Sequence, residues 1–276
     1  MVTVGRHEGG SEMTKSLNGF RIIHTPASTA GAPTALLIHG FLDDASVWDD
    51  VVDSLAGEIG AVRYDLPGFG TRSASLAEAC STTLVSLAAE AGEMLAGIDG
   101  PVIVVGQSLG TQVAELVAAQ HSDQVRGLVL LTPVPLGGTQ LPDEVVAPFG
   151  ALGGDPVAQR RLRVELSPHL SEEQLDWLTD VGAPVAADVT AHYVDVWNNG
   201  VCNAPSTSAF GGPVLIIRGG ADGFVTQQLV DAISPRFAEA DVNVIDKGGH
   251  WVHVEYPGSV ASMILDFVDA VAEVTP

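Results

Sequence analysis

Ser108 stands in the run Gly106-Gln107-Ser108-Leu109-Gly110, directly after the apolar stretch "VIVVG" at 102–106. A strand that turns at once into a helix holds a side chain out on a strained backbone. It tolerates only small residues two positions before and two after, and this G-x-S-x-G run meets that demand. The first amides of the helix point at the serine and favour negative charge there. A serine hydroxyl is a weak nucleophile until a base takes its proton, and the base needs an acid to orient it. Two loops offer these partners. "IIRGGADGFVT" at 216–226 carries Asp222, and "VIDKGGHWVHVEYP" at 244–257 carries His250 and His253.

Asp222 is favoured over Asp195 and Asp246 because it sits in a glycine-flanked loop just beyond a buried strand, although a plain turn aspartate is a common role for such a residue. His250 follows Gly248-Gly249, which permit a sharp loop; His253 is the rival base, placed further toward the final helix. The order Ser108, Asp222, His250 is one in which such triads recur. Acyl transfer also develops an oxyanion, which needs preplaced N–H donors. "LLIHGFLDD" at 36–44 ends a strand and puts Gly40-Phe41 in position, so the amides of Phe41 and Leu109 form the expected pair, with His39 orienting the loop.

These side chains converge only if the strands run parallel. Short apolar runs recur as "ALLIH" (35–39), "AVRYD" (61–65), "VIVVG" (102–106), "GLVLLT" (127–132), "VLIIR" (214–218) and "VNVID" (242–246). Near-continuous apolar character marks strands covered on both faces. Helical spacing lies between them: Leu109, Val113, Leu116 and Val117 share one face, and so do Leu84, Leu87, Ala88 and Leu95. Strand alternating with helix predicts a parallel sheet with helices on both sides, and ligands then bind beyond the carboxyl ends of the strands. Asn18-Gly19 marks a hairpin near the start. From 134 to 211 the rhythm breaks into a Pro-, Gly-, Asp- and Ala-rich stretch with helical segments such as "SEEQLDWLTD". The expectation is a core of 1–133 and 212–276, with 1–16 a flexible leader, and a helical cap over 134–211.

Net charge is −22, from 34 acidic and 12 basic residues, which repels nucleic acid and anionic membranes. Arg160, Arg161 and Arg163 form one basic cluster, expected as a solvated helix face. Cys80 and Cys202 make neither a disulfide framework nor a metal pair. With no secretory start and no apolar run of about 18 residues, the expected location is the cytoplasm, and the expected partner is a small molecule bound by a monomer or homodimer.

Together "HGF" (39–41), "DLPGFG" (65–70), "GQSLG" (106–110), "GGAD" (219–222) and "GGHWVHVEYP" (248–257) resemble the α/β-hydrolase fold superfamily, in its order and across nearly the whole chain. The resemblance implies a mostly parallel eight-stranded sheet, a helical cap after the sixth strand, no cofactor, a Ser108–His250–Asp222 triad, and Phe41 and Leu109 as oxyanion donors. Relatives with a carboxylate nucleophile are excluded by serine at 108. The expected reaction is hydrolysis of a small, mostly apolar carboxylic ester or lactone. The alternatives are a carbon–carbon bond hydrolase of a vinylogous diketone, marked by a cationic cap residue such as Arg160, Arg161 or Arg163, and a ligand-binding protein without turnover. Trp48, Tyr193, Trp197 and Trp251 are expected pocket walls, although core packing is an equal claim on each aromatic.

Overall fold

A computed structural model describes residues 12–17 and 20–274. Its sheet contains β1 (Met13–Leu17), β2 (Phe20–Thr25), β3 (Thr34–Ile38), β4 (Gly60–Tyr64), β5 (Val102–Gln107), β6 (Val125–Leu131), β7 (Val214–Gly219) and β8 (Ala240–Ile245). Their order is β1-β2-β4-β3-β5-β6-β7-β8. β1 and β2 run antiparallel and join the sheet through β4, and the pairings from β4 to β8 are parallel. The hairpin turn at 18–19 and residues 1–11 lie outside the described residues. Met13–Leu17, most of which falls in the stretch expected as a leader, is a strand, because its backbone finds a ladder on β2.

Two apolar layers cover the sheet. Leu36, Val104, Leu128 and Ile216 point to one side, and Leu37, Val105, Val129 and Ile217 point to the other. That alternation within runs that read as uniformly apolar is the mark of strands buried on both faces. The helices divide accordingly. α1 (Asp49–Ser54) packs in the second layer, whereas α2 (Leu76–Ala79), α3 (Leu84–Leu95) and α4 (Leu109–Gln120) pack in the first. After β6 the chain leaves the sheet for α5 (Asp143–Gly150), α6 (Pro156–Leu166), α7 (Glu172–Gly182) and α8 (Ala187–Asn199), with no strand among the described residues of this stretch. It returns through β7, α9 (Gln227–Ile233), β8, α10 (Val252–Glu255) and α11 (Pro257–Val274). Ser171 closes a capping box with Gln174 at the start of α7, which explains why the helix begins there. No helix of the described residues is long and apolar enough to cross a membrane.

The strand order sets the site. β3 and β5 are direct neighbours, with Ile38 opposite Gly106, so the loop carrying Phe41 leaves the sheet beside Ser108. β7 and β8 end at the same edge, and their following loops carry Asp222 and His250.

Candidate active site

Ser108 has φ +51° and ψ −122°, a region that L side chains rarely adopt. The strain follows from the tight join of β5 to α4. A Cβ at position 106 would meet the carbonyl oxygen of Gly110 at 2.3 Å, and one at 110 would meet that of Ile38 at 2.4 Å. Both glycines are therefore steric requirements. Ser108 itself is buried, with only 7% of its surface exposed.

Three remote side chains meet at this point. His250 Nε2 lies 3.0 Å from Ser108 Oγ, and His250 Nδ1 lies 2.8 Å from Asp222 Oδ2. With Nδ1–H donating to the carboxylate, Nε2 is left as acceptor for the serine hydroxyl. The other Asp222 oxygen accepts from the amides of Phe224 at 2.8 Å and Val225 at 3.0 Å, which fixes the carboxylate. Burial pushes the Asp222 carboxyl up, but His250 beside it and these two amides pull it further the other way. It ends below its ordinary value.

His253 stands apart from this arrangement. It is fully buried with its ring against Trp48 at a centroid distance of 4.7 Å, and burial, with His250 and His39 nearby, pushes it down to about 3. Its two ring nitrogens have no hydrogen-bond partner among the described residues.

Several further contacts hold His250. Its amide donates to the carbonyl of Leu166 at the end of α6, at 2.9 Å. Its carbonyl accepts from Gln107 Nε2 at 3.1 Å and Thr132 Oγ1 at 3.2 Å. The next amide, of Trp251, donates to Ser167 Oγ at 2.9 Å. Gln107 and Thr132 were not singled out from the sequence. The only signal was their place at the ends of β5 and β6, where Thr132 takes φ +44°.

His39 orients its loop as expected: its Nδ1 donates to the Gly40 carbonyl at 2.8 Å, and its Nε2 accepts from the Leu66 amide at 2.9 Å. A Cβ at Gly40 would lie 3.1 Å from the carbonyl of Gln107, so glycine lets the loop backbone close on the elbow. Leu109 is the first residue of α4, and its amide has no carbonyl one turn back to bond.

The cavity over Ser108 has a volume of about 30 Å³. Phe41, Val134, Phe149, Leu162, Leu166, Trp197, Phe224, His250 and Trp251 complete its lining. Trp197 and Trp251, of the four expected pocket aromatics, are thus among the lining residues. Trp48 and Tyr193 are not. Trp48 is buried in the layer beneath, against His253, and Tyr193 packs on Phe69 and donates its hydroxyl to the Pro67 carbonyl at 2.8 Å. Both are core residues, and a single sequence does not show which buried aromatic borders the cavity: Tyr193 shares its layer with Trp197, and Trp48 shares its layer with Trp251.

The basic cluster also departs from expectation. Arg160 pairs with Glu172 and Asp176 on α7, but Arg163 is wholly buried. It donates to the Leu42 carbonyl at 2.9 Å, reaches Asp43 Oδ1 at 3.5 Å, and lies 5.5 Å from the centre of the Trp251 ring. Asp43 in turn accepts from Trp251 Nε1, at 2.8 and 3.1 Å. Burial raises Asp43 and lowers Arg163, and their mutual attraction offsets only part of either shift.

Residues 35–263 match the alpha/beta hydrolase family, over most of the chain. The chain belongs to that family. Among its relatives is the human monoacylglycerol lipase ABHD6, 26% identical over 87% of this chain and 76% of the lipase. The pimeloyl-[acyl-carrier protein] methyl ester esterase of Neisseria meningitidis serogroup A is 26% identical over 86% of this chain and 77% of the esterase. A solved membrane phospholipase A, described as a bacterial virulence factor, superposes with a TM-score of 0.79 at 23% identity, covering 96% of this chain and 87% of the phospholipase. This last likeness speaks for the fold. Among the described residues there is no cluster of three or more metal-binding side chains, and Cys80 and Cys202 are exposed free thiols.

Proposed function

We propose that the protein is a serine hydrolase of neutral carboxylic esters or lactones. The observation that carries this reading is the continuous chain from Ser108 Oγ through His250 to Asp222, with links of 3.0 and 2.8 Å, on a strained elbow. Ser108 attacks the carbonyl carbon while His250 Nε2 takes the hydroxyl proton. Asp222 stabilises the imidazolium without taking the proton. The carbonyl oxygen becomes an anion in front of the amides of Phe41 and Leu109. His250 passes its proton to the leaving alcohol, and the C–O bond breaks to leave an acyl-enzyme. Water, activated by the same histidine, then releases the acid and restores the serine.

The walls of the cavity support a neutral, apolar substrate, since no arginine or lysine among the described residues lines it. The same fact weighs against the carbon–carbon hydrolase alternative, because Arg160 and Arg163 are engaged with carboxylates elsewhere. The names of the two curated relatives, a lipase and a methyl ester esterase, support ester chemistry. We read 134–211 as a lid on a core formed by 1–133 and 212–276.

The test is a panel of p-nitrophenyl esters and lactones with wild type and Ser108→Ala, joined to mass spectrometry of a fluorophosphonate adduct. Turnover that vanishes in Ser108→Ala, with the adduct on Ser108, is the expected outcome. Full rate in Ser108→Ala ends the mechanism. An adduct without turnover of any ester favours a binding protein.

A further inference from the structure

The cavity over Ser108, at about 30 Å³, has room on the scale of one or two water molecules. It can take the carbonyl end of a substrate but no longer chain. Next to it runs a groove of about 660 Å³, between α5, α6 and the β7–α9 loop. That volume is in the range of about 300–1,000 Å³ typical of small-molecule sites. Phe149, Leu162, Leu166 and Phe224 line both spaces. These four side chains are therefore a partition one residue thick, with the nucleophile on one side and an unassigned groove on the other.

The partition has the character of a movable wall. None of its four members has a side-chain polar group to satisfy. Phe149 follows Pro148, which removes an amide from the last turn of α5. Phe149, Phe224 and Trp197 stand with ring centroids 5.8 Å apart, so a rotamer change in one ring must involve the other two. Beyond the partition, Leu141, Val145, Leu229 and Ala232 extend the apolar lining, with Thr139, Thr226 and Gln228 interspersed. Among the residues that line it, Glu165 alone carries a charge.

We propose that this groove is a binding site for a long, unbranched alkyl chain of the substrate, which reaches Ser108 when the partition opens. This rests on the ester-hydrolase reading and extends it from a small substrate to a lipid-like one. The ester end occupies the small cavity, and the chain lies outward over Leu162 and Leu166 toward Leu229. Glu165, within an already acidic protein, disfavours a chain that ends in a carboxylate. The chain can belong to the acid or to the alcohol of the ester.

Two substrate series separate those sources: p-nitrophenyl acetate against p-nitrophenyl decanoate, and ethyl acetate against decyl acetate. The expected result is a decanoate-to-acetate or decyl-to-ethyl ratio of kcat/KM above ten in one series, falling at least tenfold in Ala232→Trp. Ala232 lines the groove and is exposed, so the larger ring fills the groove without disturbing the core. Leu229→Trp is the second filling variant, with thermal midpoints recorded for both. A long-chain preference that survives both variants, or no preference in either series, overturns the proposal. If no ester is turned over and no fluorophosphonate adduct forms, the hydrolase reading has failed, and calorimetric titration of decyl acetate into Ser108→Ala decides the groove separately. Saturable binding that is lost with Ala232→Trp added supports it; no saturable binding overturns it.

Discussion

The amide of His250 donates to the carbonyl of Leu166 at 2.9 Å, so the imidazole proposed as base is tied to the last residue of a helix that lies outside the sheet. On its other side the His250 carbonyl is held by Gln107 and Thr132. The imidazole is thus aligned by main-chain contacts as well as by Asp222.

Those contacts predict positioning effects without loss of chemistry. Gln107→Ala should cut kcat by roughly tenfold, since a small misplacement of a reacting group costs up to about a hundredfold, while KM stays within about twofold. Steady-state kinetics on a short ester checks it. A change confined to KM would show that Gln107 serves binding instead.

The strain at Ser108 predicts a trade between stability and activity. Ser108→Gly should relieve the φ of +51° and stabilise the protein by about 1 kcal/mol in urea unfolding. Ester turnover should fall by about 10⁴-fold or more. Ser108→Ala, which keeps a Cβ, should lose the activity without the gain in stability.

The two histidines should respond in opposite ways. His250→Ala should cost orders of magnitude in rate, whereas His253→Ala should leave kcat within several-fold and destabilise the fold by about 2–4 kcal/mol through the cavity beside Trp48. His253 is held down at about 3 by burial, against an ordinary value of 6.5. Below pH 6.5 the unfolded chain takes a proton that the folded chain refuses. Stability should therefore fall by about 1.4 kcal/mol per pH unit from this group, from near pH 6.5 down to about 3. The fall should be absent in a folded His253→Gln protein. The lowered Asp222 acts in the same direction at more acidic pH, because its carboxylate form is the one the fold favours.

The buried Asp43–Arg163 pair predicts strong non-additivity. Arg163→Met leaves Asp43 without its cation in a dry site and should cost about 3–5 kcal/mol. Adding Asp43→Asn should restore much of that loss, since the Trp251 indole keeps an acceptor. A double-mutant cycle in guanidinium measures the coupling; additive losses would show that the pair is not a unit.

Much of this site was legible in the sequence because its chemistry requires particular residues at strand ends. Ser108 is bracketed by glycines that nothing larger can replace, and Asp222 follows a run whose apolar character marks a buried strand, whereas the strand before His250, β8, lies at the sheet edge with Val242 and Val244 exposed. α4 runs from Leu109 to Gln120, as its spacing predicts. What stayed hidden depends on which buried partner a side chain meets. Arg163 reads as one of three solvated arginines until Asp43 and Trp251 arrive from remote loops. Trp48 and Trp251 are the same residue type in the same layer, yet only Trp251 borders the cavity over Ser108. The cavity wall at Leu162, Leu166 and Phe224 has no composition signal at all, because leucine and phenylalanine in a helix or loop look like any other core.

Leu166 uses two different parts of itself: its side chain belongs to the residue that borders the cavity over Ser108, and its carbonyl oxygen holds the main chain of His250, the proposed base. The second duty belongs to the peptide unit, which every amino acid supplies. On the proposed mechanism, natural or laboratory variation at this position can therefore reshape what the protein accepts while leaving the proposed proton relay untouched, and a saturation library at 166 should yield altered preferences far more often than dead protein.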